Sequence, residues 1–415
     1  MRSSFSVSAA ANTTSSNSFL APVPPSASVS ISILHVMCFS KIKYILLLLL
    51  LCVVQFHICP AFAAVNKDKL ELAWQLIDQG EFDEAILLCN EIIESEPENA
   101  KTYAYRARAY GKEGNVERAF IDSNKSVEIE PNNPLALYLR GTSYFEKGDL
   151  KSALVDINKS MQISPSWSWP YGTMGLIYQK KGEHIKAIDE FSFAIKLDSS
   201  FTGDFTHRGI SYFELGNFDS AISDFTKAIN LDPHNYFAYC SRGQTYLVLK
   251  QYDKSLEDYN AALSINADYT EGYINRGYLF NILKEYDTAI SDFTKAIAIN
   301  PNNIEAFCNR GIAFYSIHNY YKAASDFDKA IELDSSYSSG LSYLYRGSSF
   351  FYLKKYRESI ADFNEYLKQN PEDNIVRSYR SMSYIHMYKY YMVCPLIIII
   401  GFIIVMHQRG RLKHT

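Results

Sequence analysis

The chain has 415 residues, 47% of them hydrophobic and 21% charged, which suits a packed core and excludes wholesale disorder. Its formal charge of −4 is unevenly spread, because the first acidic residue is Asp68 and the last is Asp373. All 45 acidic residues therefore share 68–373 with 31 basic ones, a net of −14 that repels phosphate backbones and argues against nucleic acid as a partner.

Residues 1–36 are Ser-rich, acid-free and without helical or strand period. They are expected to be disordered, or to precede a true start at Met37; an organellar transit peptide has the same composition. Residues 37–63 have the three parts of a secretory signal peptide. A small basic patch (Lys41, Lys43) leads into an apolar run from Tyr44 to Val54, and Ala61-Phe62-Ala63 supplies a small-residue cleavage site. An uncleaved membrane anchor is the alternative.

Residues 66–373 repeat. Units starting at 66, 100, 134, 168, 202, 236, 270, 304 and 340 align with one two-residue insertion, Ser338-Ser339. The eighth place is small in all nine, from Ala73 and Ala107 through Gly141 to Gly347. The eleventh is large (Tyr212, Tyr246, Phe280, Phe314), the twentieth is Ala or Ser, and the twenty-fourth is aromatic from the fourth unit on (Phe191, Phe225, Tyr259, Phe293, Phe327, Phe363). Pro closes six units, and Gly stands at the mid-unit turn as Gly80, Gly114, Gly148, Gly182 and Gly216. Apolar residues at helical spacing fill two stretches per unit, which predicts two helices joined by a Gly-favoured turn. One such pair buries too little surface to stand alone, so the units must stack. Residues 374–391 read as a capping helix over the last apolar face.

After the cap, 392–408 is an apolar stretch expected to span a membrane, and 409–415 is a basic tail holding Arg409, Arg411 and Lys413. The two ends give one topology: signal, exported middle, a single span and a short basic tail.

The spacing of small, aromatic and Pro places resembles the tetratricopeptide repeat family over 66–373. The resemblance implies an all-α right-handed solenoid of about nine helix-turn-helix units, with first helices lining a concave groove that takes peptides or protein segments. It implies proteins or peptides as partners; the hydrophobic ends, read separately, add a membrane reached through the C-terminal segment and, if uncleaved, the N-terminal one. Carried onto this chain, groove places include Asn275 and Asn309, able to bond an extended backbone, and the aromatics Phe213, Phe237, Tyr278, Tyr315 and Phe351. The family's Lys/Asn set for a chaperone C-terminal carboxylate is missing, and so is the His-Pro-Asp of a J domain.

One departure from the family pattern is Arg at the seventh place. Seven units join it to Asp at the twenty-third: Arg106/Asp122, Arg140/Asp156, Arg208/Asp224, Arg242/Asp258, Arg276/Asp292, Arg310/Asp326 and Arg346/Asp362. The first unit lacks both (Leu72, Leu88), which is how a matched buried pair behaves, because a lone buried charge is costly. The fourth, with Met174 and Glu190, breaks the rule. The expectation is an ion pair between the two helices of a unit or between adjoining units.

No metal-spaced His or Cys set, phosphate loop or nucleophile elbow occurs, so no catalytic, cofactor-binding or metal residue is assigned and no enzyme is expected. Cys240 and Cys308 read as small buried apolar residues. Three functions remain open: an exported, membrane-tethered scaffold, a co-chaperone for unfolded clients, and the non-catalytic subunit of a separate enzyme.

Overall fold

The computed structural model describes residues 59–389; the leader, most of the signal segment, the apolar stretch 392–408 and the basic tail lie outside them. All described elements are helical, and among the described residues there is no strand. None of the described helices is long and apolar enough to cross a membrane.

Two compact units are distinguished, divided after Asn115. The first holds α1 (Cys59–Gln79), α2 (Phe82–Ser95) and α3 (Ala100–Lys112). Within it Trp74 and Tyr105 pack at 4.8 Å, and Arg108 lies over Trp74 at 3.9 Å while bonding Asp78.

The second unit opens with α4 (Val116–Ile129) and continues as helical hairpins. The first helices of its hairpins are α5 (Pro134–Glu146), α7 (Ser168–Lys180), α9 (Thr202–Glu214), α11 (Tyr236–Val248), α13 (Thr270–Ile282), α15 (Ile304–Ser316) and α17 (Leu341–Tyr352). The second helices are α6 (Leu150–Ile163), α8 (His184–Leu197), α10 (Phe218–Leu231), α12 (Tyr252–Ile265), α14 (Tyr286–Ile299), α16 (Tyr320–Leu333) and α18 (Tyr356–Gln369). A last helix, α19, occupies 374–389. The inserted Ser338-Ser339 falls in a short 3-10 turn, Tyr337–Gly340, before α17.

Each hairpin closes at one residue with positive φ. Gly216 (φ +75°) donates to the Phe213 carbonyl and Asn217 to the Tyr212 carbonyl, which caps the orphan carbonyls of α9. The later hairpins make the same turn without Gly. Lys250, Lys284, His318 and Lys354 hold φ of 58–63°, and the bonds from Lys284 to Asn281 and from Glu285 to Phe280 repeat the pattern. Helix starts use Asn where the turn permits: Asn133, Asn235 and Asn303 accept from Ala136, Ala238 and Ala306. Where an aromatic stands there instead, it packs on the preceding unit, as Tyr269 does against Tyr236 at 4.9 Å.

The seam inside each hairpin is the contact of the eighth and twenty-fourth places. A Cβ on Gly209 would sit 2.7 Å from the Phe225 ring, and one on Gly277 would sit 2.8 Å from Phe293. Both rings are buried at 1% exposure or less, so neither has room to give way. The hairpins stack in the same way throughout the second unit. First helices touch the next first helix, whereas second helices make little contact with one another. The first helices thus form the closer-packed row.

Candidate protein-binding face

Six of the Arg–Asp pairs lie within the second unit, and all six are bidentate. Arg208 Nε and Nη2 meet Asp224 at 2.7 Å each, Arg276 meets Asp292 at 2.8 Å twice, and Arg310 meets Asp326 at 2.8 Å twice. The Asp side chains are buried and the guanidinium groups are under a quarter exposed. The seventh pair, Arg106/Asp122, has its members in different units.

Each guanidinium also makes a bond that sequence reasoning missed. Its free Nη1 reaches back to the second helix of the preceding hairpin. Arg208 donates to Ser192, Arg242 to Thr226, Arg276 to Asn260, Arg310 to Thr294 and Arg346 to Asp328, at 2.6–3.0 Å. The acceptor is always the residue after the twenty-fourth place. Hydrogen bonding to Asp holds the Arg208, Arg242 and Arg276 guanidinium groups above their ordinary range. Arg208, Arg242, Arg276 and Arg310 also lie 5.6–5.7 Å over the aromatic three residues before them: Phe205, Tyr239, Tyr273 and Phe307. One side chain therefore ties the two helices of its hairpin to the hairpin before. The tie reaches α19, where Arg380 donates to Asn364 at 2.9 Å.

The fourth hairpin has no such tie. Met174 is buried at 1% exposure, and Glu190 stands half-buried, its carboxyl raised by burial and then by Asp189. Against Gly172 of the same hairpin lies Asp204 on α9, 5% exposed. Burial, and secondarily Asp198, push its carboxyl up to about 7, with Arg208 opposing. One turn on, His207 has a buried Nδ1 with no partner, and burial lowers its basicity.

The first helices present one free face. On α11 and α13 the exposed positions are places two, nine and thirteen, which share one side of a helix. They are Phe237, Gln244 and Val248 on α11, and Glu271, Tyr278 and Ile282 on α13. Place twelve is half-buried because it crosses to the next first helix at place six. Gln179 donates to the His207 carbonyl, Asn281 to the Asn309 carbonyl, and Tyr315 packs on Tyr345 at 5.4 Å.

This sorts the predicted groove residues. Phe237 (38% exposed) and Tyr278 (47%) open onto the free face. Phe213, Tyr315 and Phe351 occupy place twelve and are half-buried. Phe213 packs on Phe218, Tyr315 joins Tyr320, Tyr345 and Tyr352, and Phe351 joins Tyr356, Tyr379 and His386. Asn275 donates to Cys240 Sγ at 3.3 Å, so its amide is partly committed, and Asn309 is half-buried beside it in the same row. Cys240 and Cys308 are buried and free. Among the described residues no cluster of His, Cys, Asp or Glu could hold a metal ion.

Hairpins coupled side by side with one continuous face of first helices define a helical-repeat scaffold. Models described as "Tetratricopeptide repeat" match residues 205–235, 236–269 and 304–337, and again 341–373; one described as "TPR repeat" matches 277–317. The chain belongs to the tetratricopeptide repeat family. Among solved structures, the crystal structure of the APC/C hetero-tetramer Cut9-Hcn1 is 17% identical with a TM-score of 0.54, over 72% of this chain and 59% of that one. The chain thus spans about three fifths of that relative's length. A tetratricopeptide repeat protein from Parabacteroides merdae is 18% identical, covering 60% of this chain and 98% of its own, with a TM-score of 0.45. YrrB, described as a TPR protein with an unusual peptide-binding site, is 23% identical over 44% of this chain and 93% of its own, with a TM-score of 0.35. At these identities the likeness is one of fold. No curated protein matches the chain.

Proposed function

We propose that the chain is an exported, membrane-tethered scaffold that holds segments of partner proteins along the free face of its first helices. The observation that carries this reading is the set of apolar side chains left in solvent on that face. Phe237, Val248, Tyr278 and Ile282 stand exposed on the neighbouring helices α11 and α13, although the hairpin seams beneath them are tightly filled. An apolar patch of this kind on a well-packed protein marks an interaction surface.

Support for the tether comes from α19. Every other hairpin turns at place fifteen, but α19 continues helically through Tyr388 to 389, at the threshold of the apolar stretch. The N-terminal signal pattern supplies the route of export.

Two experiments test the two parts. Phe237→Asp with Tyr278→Asp is expected to abolish partner capture by the full chain, while Ser291→Asp, an exposed change on α14, leaves it intact. Equal capture by both variants contradicts the binding face. Alkaline carbonate extraction of membranes is expected to leave the chain in the pellet and to release a variant ending at Lys389. Release of the full chain contradicts the tether.

A further inference from the structure

Charge on the free face is one-sided. From α9 to α17, places two, nine and thirteen hold Glu214, Glu271 and Glu305 and no Lys or Arg, and the less exposed places five, six and twelve hold neither. Glu271 and Glu305 take place two of adjacent first helices, and both are exposed. The Glu305 carboxyl is held above its ordinary range by the protein crowded around it and then by Glu271, so the two carboxylates feel each other. Neither has a basic side chain bonded to it. Arg242, Arg276 and Arg310 of the same helices are committed to Asp258, Asp292 and Asp326, and Lys250, Lys284 and Lys354 sit on the turns at the far end of the first helices, about 20 Å away at 1.5 Å per residue. The face is therefore acidic along its helix-start edge, apolar in the middle and basic along its turn edge.

We infer that this face takes an extended, apolar protein segment carrying two Lys or Arg residues three positions apart, which pair with Glu271 and Glu305. The spacing follows from geometry. Packed helices lie about 8–10 Å apart, and a chain in the polyproline II form advances about 3.1 Å per residue and returns every third side chain to one face, so one step between first helices takes about three residues. The apolar side chains beyond the cation on Glu271 meet Phe237, which holds the same place on α11. Two carboxylates that repel when the face is empty gain from a shared cationic ligand, and this selects the partner by charge as well as by apolar contact. The same carboxylates suit the positive end of a helix, so they are carried at no expense to the fold.

This inference rests on the binding face proposed above, and the test separates the two. The full chain in detergent is titrated with three fluorescein-labelled nonapeptides. All have Leu and Phe at fixed places, with Lys, Gln or Glu at positions three and six. The Lys peptide is expected to bind about tenfold more tightly than the Glu peptide at low salt, a difference that salt erases. Glu271→Gln with Glu305→Gln should remove the preference, and Glu271→Lys with Glu305→Lys should reverse it, with helicity unchanged in both. Equal binding of all three peptides that is still lost in Phe237→Asp overturns the charge selection and leaves the face. A preference for Lys that survives the double Gln change overturns the assignment to these two carboxylates. Failure of every peptide to bind overturns the face and the inference together.

Discussion

At the residue scale, the most consequential side chains are charges without their usual company. Asp204 is buried against Gly172 with no hydrogen bond, and its carboxyl titrates near 7 in the folded chain. Its value in the unfolded chain is about 3.9. The folded state therefore binds this proton more tightly, and its contribution to stability falls as pH rises from about 4 to about 7, then stays flat. Asp204→Asn is expected to remove that slope and to stabilise the chain above pH 7 by on the order of 2–3 kcal/mol, read by urea unfolding across pH. A wild-type stability that does not fall between pH 4 and pH 7 contradicts the assignment. Nothing in the sequence marks Asp204, because its isolation depends on a glycine one unit earlier. The Arg–Asp pairs are the opposite case. Their members recur sixteen apart and disappear together in the first unit, so the pairing could be read before any coordinates. Their third bond could not, because its acceptor changes among Asn, Ser, Thr and Asp. Arg276→Ala strands a buried Asp292 and is expected to destabilise by about 3 kcal/mol, while Arg276→Met with Asp292→Leu should cost far less. Equal losses would make the pair unimportant.

At the element scale, the turn between helices is where sequence pattern and backbone part company. Gly at the fifteenth place announces a left-handed residue in five hairpins. Lys250, Lys284, His318 and Lys354 adopt the same conformation with a side chain attached, so tertiary packing fixes it there. A side chain in that region costs about 1 kcal/mol. Lys284→Gly is accordingly expected to stabilise by up to about 1 kcal/mol, seen as a rise in the thermal midpoint. No change, or a fall, would show that Lys284 makes a compensating contact. Element faces were only half readable too. The first helix of each unit is recognisable in the sequence, but its places two, nine and twelve look alike there. Only stacking shows that Phe237 and Tyr278 face solvent while Phe213, Tyr315 and Phe351 fill seams. The fourth hairpin, lacking Arg, is the weak joint of the row. Met174→Arg with Glu190→Asp is expected to restore the tie to Asn158 and slow hydrogen exchange in α7 and α8.

At the scale of the whole molecule, stability is distributed among neighbours, since every hairpin of the second unit except that of α7 and α8 is fastened to the helix before it by its own Arg. That arrangement leaves the free face of the first helices unconstrained by folding and available for selection by partners. It explains why the fold was evident from repetition, while the partner's nature had to be argued from charges on one face. The repeat pattern records what the hairpins need from each other, and the variable places between them record what the scaffold holds.

The most direct test of this account is hydrogen exchange of the full chain with and without a captured protein partner. The account predicts added protection in α11, α13 and α15, with α12 and α14 unchanged. Protection confined to the second helices, with the first helices exchanging as before, would contradict it.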